Sequence, residues 1–319
     1  MKKIIALVLA LTLVLGCCAA LADAPEGYPS TAINLYIGFG AGGDTDLSNR
    51  LLATYVEQKI GGSIAANNVT GSNGAVCMAQ YQSTPNDGYT LIGANTNAVL
   101  SNYANGTSEF GYQDYEVVAV FCHTAGDMLF ANKDSGITTI DELKQACADR
   151  PFEINLGCSF GGLTQAYSLL MEKAGLDINI VDGGDGANRI AYLVGGHVDV
   201  CFVPYSTAKE YIETGDVVPL ATIASSSTVV DAPSLKDAGL ADTTFDGSYI
   251  WLAPKGTDSA IVEYLAETIQ DIVLNDAQFN ADQANYTYNS EAFCLIGQDA
   301  LDWLAAAQET ANANAEVLK

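Results

Sequence analysis

Two stretches of this 319-residue chain each read as a strand, a glycine-rich turn and the opening of a helix, and that pairing commits the chain to an α/β arrangement. The first, 33–52, runs INLYIGFGAGGDTDLSNRLL. Alternating apolar residues over 33–37 predict a strand, and Leu47, Leu51, Tyr55 and Val56 then recur at helical spacing. Thr45 or Asp44 suits the N-cap, with Asp46 in the first turn. Between strand and helix, Phe39 and Ala41 sit among Gly38, Gly40, Gly42 and Gly43. Such glycines let the backbone approach a ligand closely and aim several N–H groups at one point beside a helix N-terminus. That nest suits a carboxylate or a phosphate.

Gly38, Gly40 and Gly43 also satisfy Gly-x-Gly-x-x-Gly, the dinucleotide fingerprint. The fingerprint requires an acidic residue about twenty positions on to hold the ribose. Here that stretch reads Ser63 to Asn68 without a carboxylate, so no cofactor is expected. The compartment argues the same way. Met1 to Lys3 form a positive start, an apolar run covers 4–15, and small residues follow, which is the architecture of an export signal, expected to occupy residues 1–22. Ala20-Leu21-Ala22 fits cleavage before Asp23, whereas Val14-Leu15-Gly16-Cys17 reads as a lipobox with Cys17 as the lipidated residue. The mature chain is therefore either free in the periplasm or tethered to the outer face of the cell membrane.

Thirteen basic against 38 acidic residues give a formal charge of −25, so nucleic acid is excluded as a partner. An anionic ligand meets a repulsive field. Local donors must overcome it, and helix N-termini do so at roughly 0.3–1 kcal/mol each beyond their hydrogen bonds. Arg50 and Arg189 are candidate helpers, although Arg50 stands four residues after Asp46 and suits an intrahelical ion pair. Six cysteines lie beyond the signal, Cys77, Cys122, Cys147, Cys158, Cys201 and Cys294, scattered without Cys-x-x-Cys spacing, so no metal site is expected. Buried thiols and disulfides both remain open, with Cys158 and Cys201 the first pair to inspect because both fall in strand-like runs.

Strand-like runs at 90–94, 116–121, 153–156, 198–203 and 249–253 alternate with helical patterns near 141–149, 164–174 and 260–274, which predicts parallel sheets with covering helices. At this length two lobes are expected. The second strand–turn–helix unit, 153–174, contains Gly157-Cys158-Ser159-Phe160-Gly161, a match to the Gly-x-Ser-x-Gly nucleophile elbow. A hydrolase would need a base, and the chain offers only His123 and His197. His197 precedes a strand, at the wrong sheet edge, and His123 comes before the serine, against the usual order of such triads. Ser159 is better read as a ligand hydrogen-bond donor.

The order and spacing of several strings resemble the Bug or TctC family, the solute-binding proteins of tripartite tricarboxylate transporters. These are Tyr28-Pro29-Ser30, the 39–50 turn, Pro85 to Leu91, the Gly157 to Gly162 turn, Leu193 to Asp199, Ala238-Gly239-Leu240 and Ala253 to Thr257. The resemblance implies a two-lobed periplasmic-binding-protein fold of type II, a Venus flytrap in which each lobe is a mixed sheet covered by helices. It places lobe one at 23–124 plus 226–319 and lobe two at 125–225. It further implies two jaws on ligand carboxylates, Phe39, Gly40, Ala41, Gly42 and Gly43 with Asp46 in one, and Ser159, Gly162 and Thr164 in the other. Asn95, Thr96 and Asn97 are expected to line one side of the cleft, and Asp182 and Tyr205 the other, although either of the last two also suits a turn cap. Two departures from the family stand out: Gly38 replaces the proline usual before Phe39, and Gln165-Ala166 replaces Ser-His after the second jaw. A ligand-facing Asp182 would repel a tricarboxylate and welcome an ammonium group.

The expected protein is thus a non-enzymatic, monomeric receptor for a tricarboxylate, dicarboxylate or amino-acid-like acid, which it delivers to permease subunits of the transporter. The alternatives are a sensory or orphan receptor of the same fold and a secreted serine hydrolase using Ser159.

Overall fold

A computed structural model describes residues 24–124, 126–184, 186–227, 229–287 and 292–315. The export signal, both cleavage sites and Cys17 lie outside the described residues. Among those described, the strands form two sheets, one per lobe. The first contains β1 (Ile33–Ile37), β2 (Ile64–Asn68), β3 (Thr90–Asn95), β4 (Tyr115–His123), β10 (Ser248–Pro254) and β11 (Cys294–Leu295), in the order β11-β4-β10-β3-β1-β2. The second contains β5 (Asp127–Asn132), β6 (Asn155–Cys158), β7 (Asn179–Asp182), β8 (Val200–Pro204) and β9 (Val217–Thr222), in the order β7-β6-β8-β5-β9.

The sheets are mixed rather than purely parallel. β1 runs parallel to β2 and β3, but β10 is antiparallel to both β3 and β4. In the second sheet β6 is parallel to β7 and β8, while β5 is antiparallel to β8 and β9. Apolar runs reveal a buried strand but not its direction, which explains the difference. Every residue of β10 is buried, as expected of a strand covered on both faces.

Helices α1 (Asp44–Ile60), α2 (Ala75–Tyr81), α3 (Thr96–Ala104), α8 (Ser259–Asn275) and α9 (Ala277–Thr287) belong with the first sheet. Helices α4 (Ile140–Asp149), α5 (Leu163–Lys173), α6 (Gly186–Val194) and α7 (Tyr205–Glu213) belong with the second. The last helix, α10 (Gly297–Ala315), packs on β4 and α3 of the first lobe and on α5 of the second. One apolar cluster therefore runs through both lobes, from Leu100 through Tyr167 to Leu304. No described helix is long and apolar enough to cross a membrane.

All six cysteines beyond the signal are buried free thiols. Cys158 and Cys201 do lie on adjacent strands, but they form no bridge. Burial pushes the Cys158 thiol up to about 11 and that of Cys201 to about 12, which leaves both protonated and unreactive near neutrality.

Candidate functional site

The two strand–turn–helix units face each other across a cavity of about 900 Å³. Five helices begin at its wall: α1, α3 and α5, together with α6 and α7. Gly43, Gly162 and Pro204 occupy the N-caps of α1, α5 and α7, and none supplies a side-chain cap. The cap of α1 is thus Gly43 rather than Thr45 or Asp44, and Asp44 becomes the first helical residue. First-turn N–H groups at such ends lack intrahelical partners and remain available to an anion.

The first turn owes its shape to contacts that only glycines permit. Gly42 has φ +84°, and a Cβ on Gly38 would stand 3.0 Å from Gly74 Cα. The turn therefore packs backbone-to-backbone on the loop 70–74, while the Phe39 ring lies over Gly74. Asp46 fastens the turn from below instead of facing the cavity. Its carboxylate accepts from Gly42 N (2.9 Å), Arg50 Nε (2.7 Å) and Asn68 Nδ2 (2.6 Å), and Asn68 in turn donates to Phe39 O. Burial alone would raise the pKa of Asp46, but these hydrogen bonds and the Arg50 charge outweigh it and hold the group below the usual carboxylate range. Asp46→Asn is expected to cost about 2 kcal/mol, moderated by the 39% exposure of Arg50. Thermal melts at neutral pH should show it as a drop of roughly 4–8 °C. A depressed folded pKa gives stability that is present above the unfolded value and lost as pH falls through the folded one, so the deficit should begin to shrink below about pH 4 and close at still lower pH.

Phe39 through Gly43, Asn95, Ser159, Gly162 and Thr164 all line the cavity, as the sequence suggests, and so does Asn97. Asp46, Thr96, Asp182 and Tyr205 do not. Thr96 is fully buried and its Oγ1 accepts from Ser248 N at 3.0 Å. Asp182 caps the second turn, accepting from Phe160 N (3.3 Å) and Gly184 N (3.1 Å), so repulsion of a ligand cannot be assigned to it. Tyr205 is buried beside Pro204, Ser206 and Thr207, which line the wall in its place. Within the second turn Thr164 Oγ1 accepts from Ser159 N at 2.9 Å, and Gln165 Oε1 accepts from Gly161 N at 2.7 Å. Gln165 thus braces the turn. Neither histidine reaches the cavity: His123 shares a hydrogen bond with Ser248 Oγ at 3.1 Å and stacks on Phe293, and His197 packs edge-on against Tyr192. Ser159 accordingly has no imidazole base in the described site.

The sequence reading missed the loop 70–74, although its Gly71-Ser72-Asn73-Gly74 cluster is a turn signal, and two acids. Asp44 and Asp127 line the cavity, and among the described residues Arg189 is the sole basic side chain beside them in its lining. Arg189 is 6% exposed, with Nη2 3.4 Å from Asp127 Oδ1 and Nη1 3.3 Å from Thr164 Oγ1. Its Nε has no hydrogen-bond partner among the described residues. Burial raises the pKa of Asp127, partly offset by Arg189. Burial likewise raises that of Asp44, and the Asp127 charge adds to it.

A family model described as the tripartite tricarboxylate transporter family receptor matches residues 49–299. This chain belongs to that receptor family. Among relatives in it, Protein BugT of Bordetella pertussis is 26% identical over 268 residues, covering 80% of each chain. Solved structures with the same fold include a Rhodopseudomonas palustris protein with adipate (TM-score 0.77, 22% identity, 91% of this chain and 98% of that one). Another is the R. palustris protein MatC with bound malate (TM-score 0.75, 21% identity, 92% and 100%). The two-lobed periplasmic-binding-protein fold is therefore shared across the family of receptors.

Proposed function

We propose that this protein is an extracytoplasmic receptor that captures a small carboxylated solute between its lobes and delivers it to the membrane subunits of a tripartite tricarboxylate transporter. The observation that carries this reading is the convergence of five helix N-termini, from both lobes, on one cavity with a single basic side chain. In a chain of net charge −25, such fixed dipoles supply the local positive potential that a carboxylate requires. Malate and adipate, found in two proteins of the same fold, are carboxylates of a size that suits a 900 Å³ cavity.

On this reading the chain is exported, works as a monomer free in the periplasm or tethered through Cys17, and performs no covalent chemistry. Its lobes, 23–124 with 226–319 and 125–225, close as a hinge because ligand contacts exist on both jaws only in the closed form. Calorimetry on protein stripped of ligand by unfolding and refolding, with a panel of mono-, di- and tricarboxylates and amino acids, tests it. At least one member should bind, and X-ray scattering at saturation should show a smaller radius of gyration. Absence of binding across the panel, or an unchanged radius with a bound acid, would overturn capture and closure respectively.

A further inference from the structure

Asp44 and Asp127 approach the cavity from opposite lobes, and each has only one long side-chain hydrogen bond among the described residues. The one side-chain donor to Asp44 is Tyr249 Oη at 3.4 Å, beside backbone N–H groups of its own helix start, and the one to Asp127 is Arg189 at 3.4 Å, among the described residues. Both are long for a bond to a charged group, which prefers about 2.7–2.9 Å. A buried carboxylate normally collects several. Three further oxygens in the same wall are buried without partners among the described residues: Asn97 Oδ1, Ser101 Oγ and Thr124 Oγ1, of which Ser101 is itself only 8% exposed. Asn97 and Thr124 meet at Gly247. Thr124 N donates to Gly247 O at 2.9 Å, and a Cβ on Gly247 would stand 2.4 Å from Asn97 Oδ1. Asp127 follows Thr124 by three residues, and Tyr249 follows Gly247 by two. The cleft wall therefore carries unpartnered polar oxygens, one amide carbonyl and two hydroxyls, together with two acids, one of them at the N-terminus of α1.

A dianionic acid entering this cleft must face both carboxylates, of which Asp127 is paired with Arg189 and Asp44 has no cationic partner among the described residues. Cation-bearing solutes relieve that repulsion and satisfy the acceptors together. A metal ion is the less suitable occupant, since no described cluster of three or more His, Cys, Asp or Glu residues has the arrangement for one. An ammonium group carries three N–H donors on a compact charge, which suits a floor of separated oxygens.

We infer that Asp44 and Asp127 form a cation subsite across the cleft, so that the solute carries a protonated amine beside its carboxylate. This rests on the receptor reading above and names the class of solute within it. The subsite takes the place in the cleft that the sequence had assigned to Asp182.

Pairs of ligands that differ only in the amino group test the inference on refolded full-length mature protein: aspartate with succinate, glutamate with glutarate, alanine with propionate. The amino member of at least one pair should bind about 10- to 100-fold more tightly, the range of a charge-assisted hydrogen bond. In Asp44→Asn that preference should fall by about tenfold or more while affinity for the deaminated member stays the same or rises, because a repulsive charge has been removed. Asp127→Asn, with its melting temperature checked separately, should lose the preference in the same direction. Equal or tighter binding of the deaminated acids to the native protein would overturn the cation subsite and leave the receptor reading standing. A preference that survives both substitutions would also overturn it. Tight binding of butylamine would keep the subsite and remove the carboxylate half of the reading. No binding by any of these probes would sink both.

Discussion

Arg189→Ala should lower the melting temperature by roughly 5–10 °C at pH 7.5 and weaken binding of any acid held by the native protein by about 100-fold or more. Both effects have one origin. Among the described residues the guanidinium is the only basic group in the cavity lining and the only cation paired with Asp127, whose side chain is 20% exposed. Removing one member of a buried ion pair leaves the other uncompensated, at a cost of about 3 kcal/mol, whereas removing both is far less harmful. The stem of Arg189 also packs closely on Gly183, where a Cβ would lie 2.8 Å from Cγ, so alanine leaves a gap as well. Asp127→Asn added to Arg189→Ala should recover most of the stability but little of the affinity.

The pH dependence supplies a second check on the same substitution. Burial already raises the folded pKa of Asp127, and loss of Arg189 removes the main opposing influence. A carboxylate with a raised folded pKa contributes stability that is fully present below the unfolded value and lost as pH rises through the folded one. Arg189→Ala should therefore lie closer to the native protein at pH 5 than at pH 7.5, as measured by urea denaturation at each pH. A deficit independent of pH in that interval would mean that lost packing, not an orphaned charge, is responsible.

The second large effect is expected at Trp251, in the middle of β10 and fully buried. Its Nε1 donates to Asn49 Oδ1 at 2.8 Å, and Asn49 Nδ2 donates to Thr45 O at 2.7 Å. This chain of bonds ties the core of the first lobe to the opening turn of α1, where the cavity begins. Trp251→Ala should cost about 3–5 kcal/mol for lost packing, plus about 1–3 kcal/mol for the stranded Asn49 oxygen. Trp251→Phe keeps most of the volume and should cost only the second part with a small packing loss. Urea melts of both variants give the comparison, and equal destabilisation by alanine and phenylalanine would contradict a packing-dominated role.

Much of this architecture is legible in the chain. The 33–52 unit folds as read, with Arg50 paired to Asp46, and the runs near 90, 116, 153, 198 and 249 all become strands. Direction was hidden, because the apolar run of β10 looks the same whether it inserts parallel or antiparallel between β3 and β4. At the cleft, proximity to a strand end misled at Asp182 and Thr96. At the end of β7 successive side chains point to opposite faces, so a shift of one residue decides between ligand and scaffold, whereas Thr96 opens α3 and turns inward to Ser248 N. Asp44 looked like a cap because aspartate commonly is one, yet Gly43 already provides the extended residue that a cap requires, with φ −75° and ψ 164°. Arg189 was visible as a scarce cation, but its pairing with Asp127 depends on the packing of α6 against β5, which no local pattern encodes.

The antiparallel seat of β10 also sets an order of assembly. The second sheet draws all its strands from one continuous stretch, β5 to β9, and can close as soon as that stretch is available. The first cannot, because β3 and β4 are separated in space by a strand that emerges far later in the chain. Until 248–254 arrives, the edges of β3 and β4 that face it stay unpaired, the kind of edge that invites pairing with other chains. The later lobe in sequence is thus expected to complete before the earlier one, with the long-range pairing of β10 as the slow, aggregation-exposed step; refolding kinetics that show both lobes closing together would contradict this order.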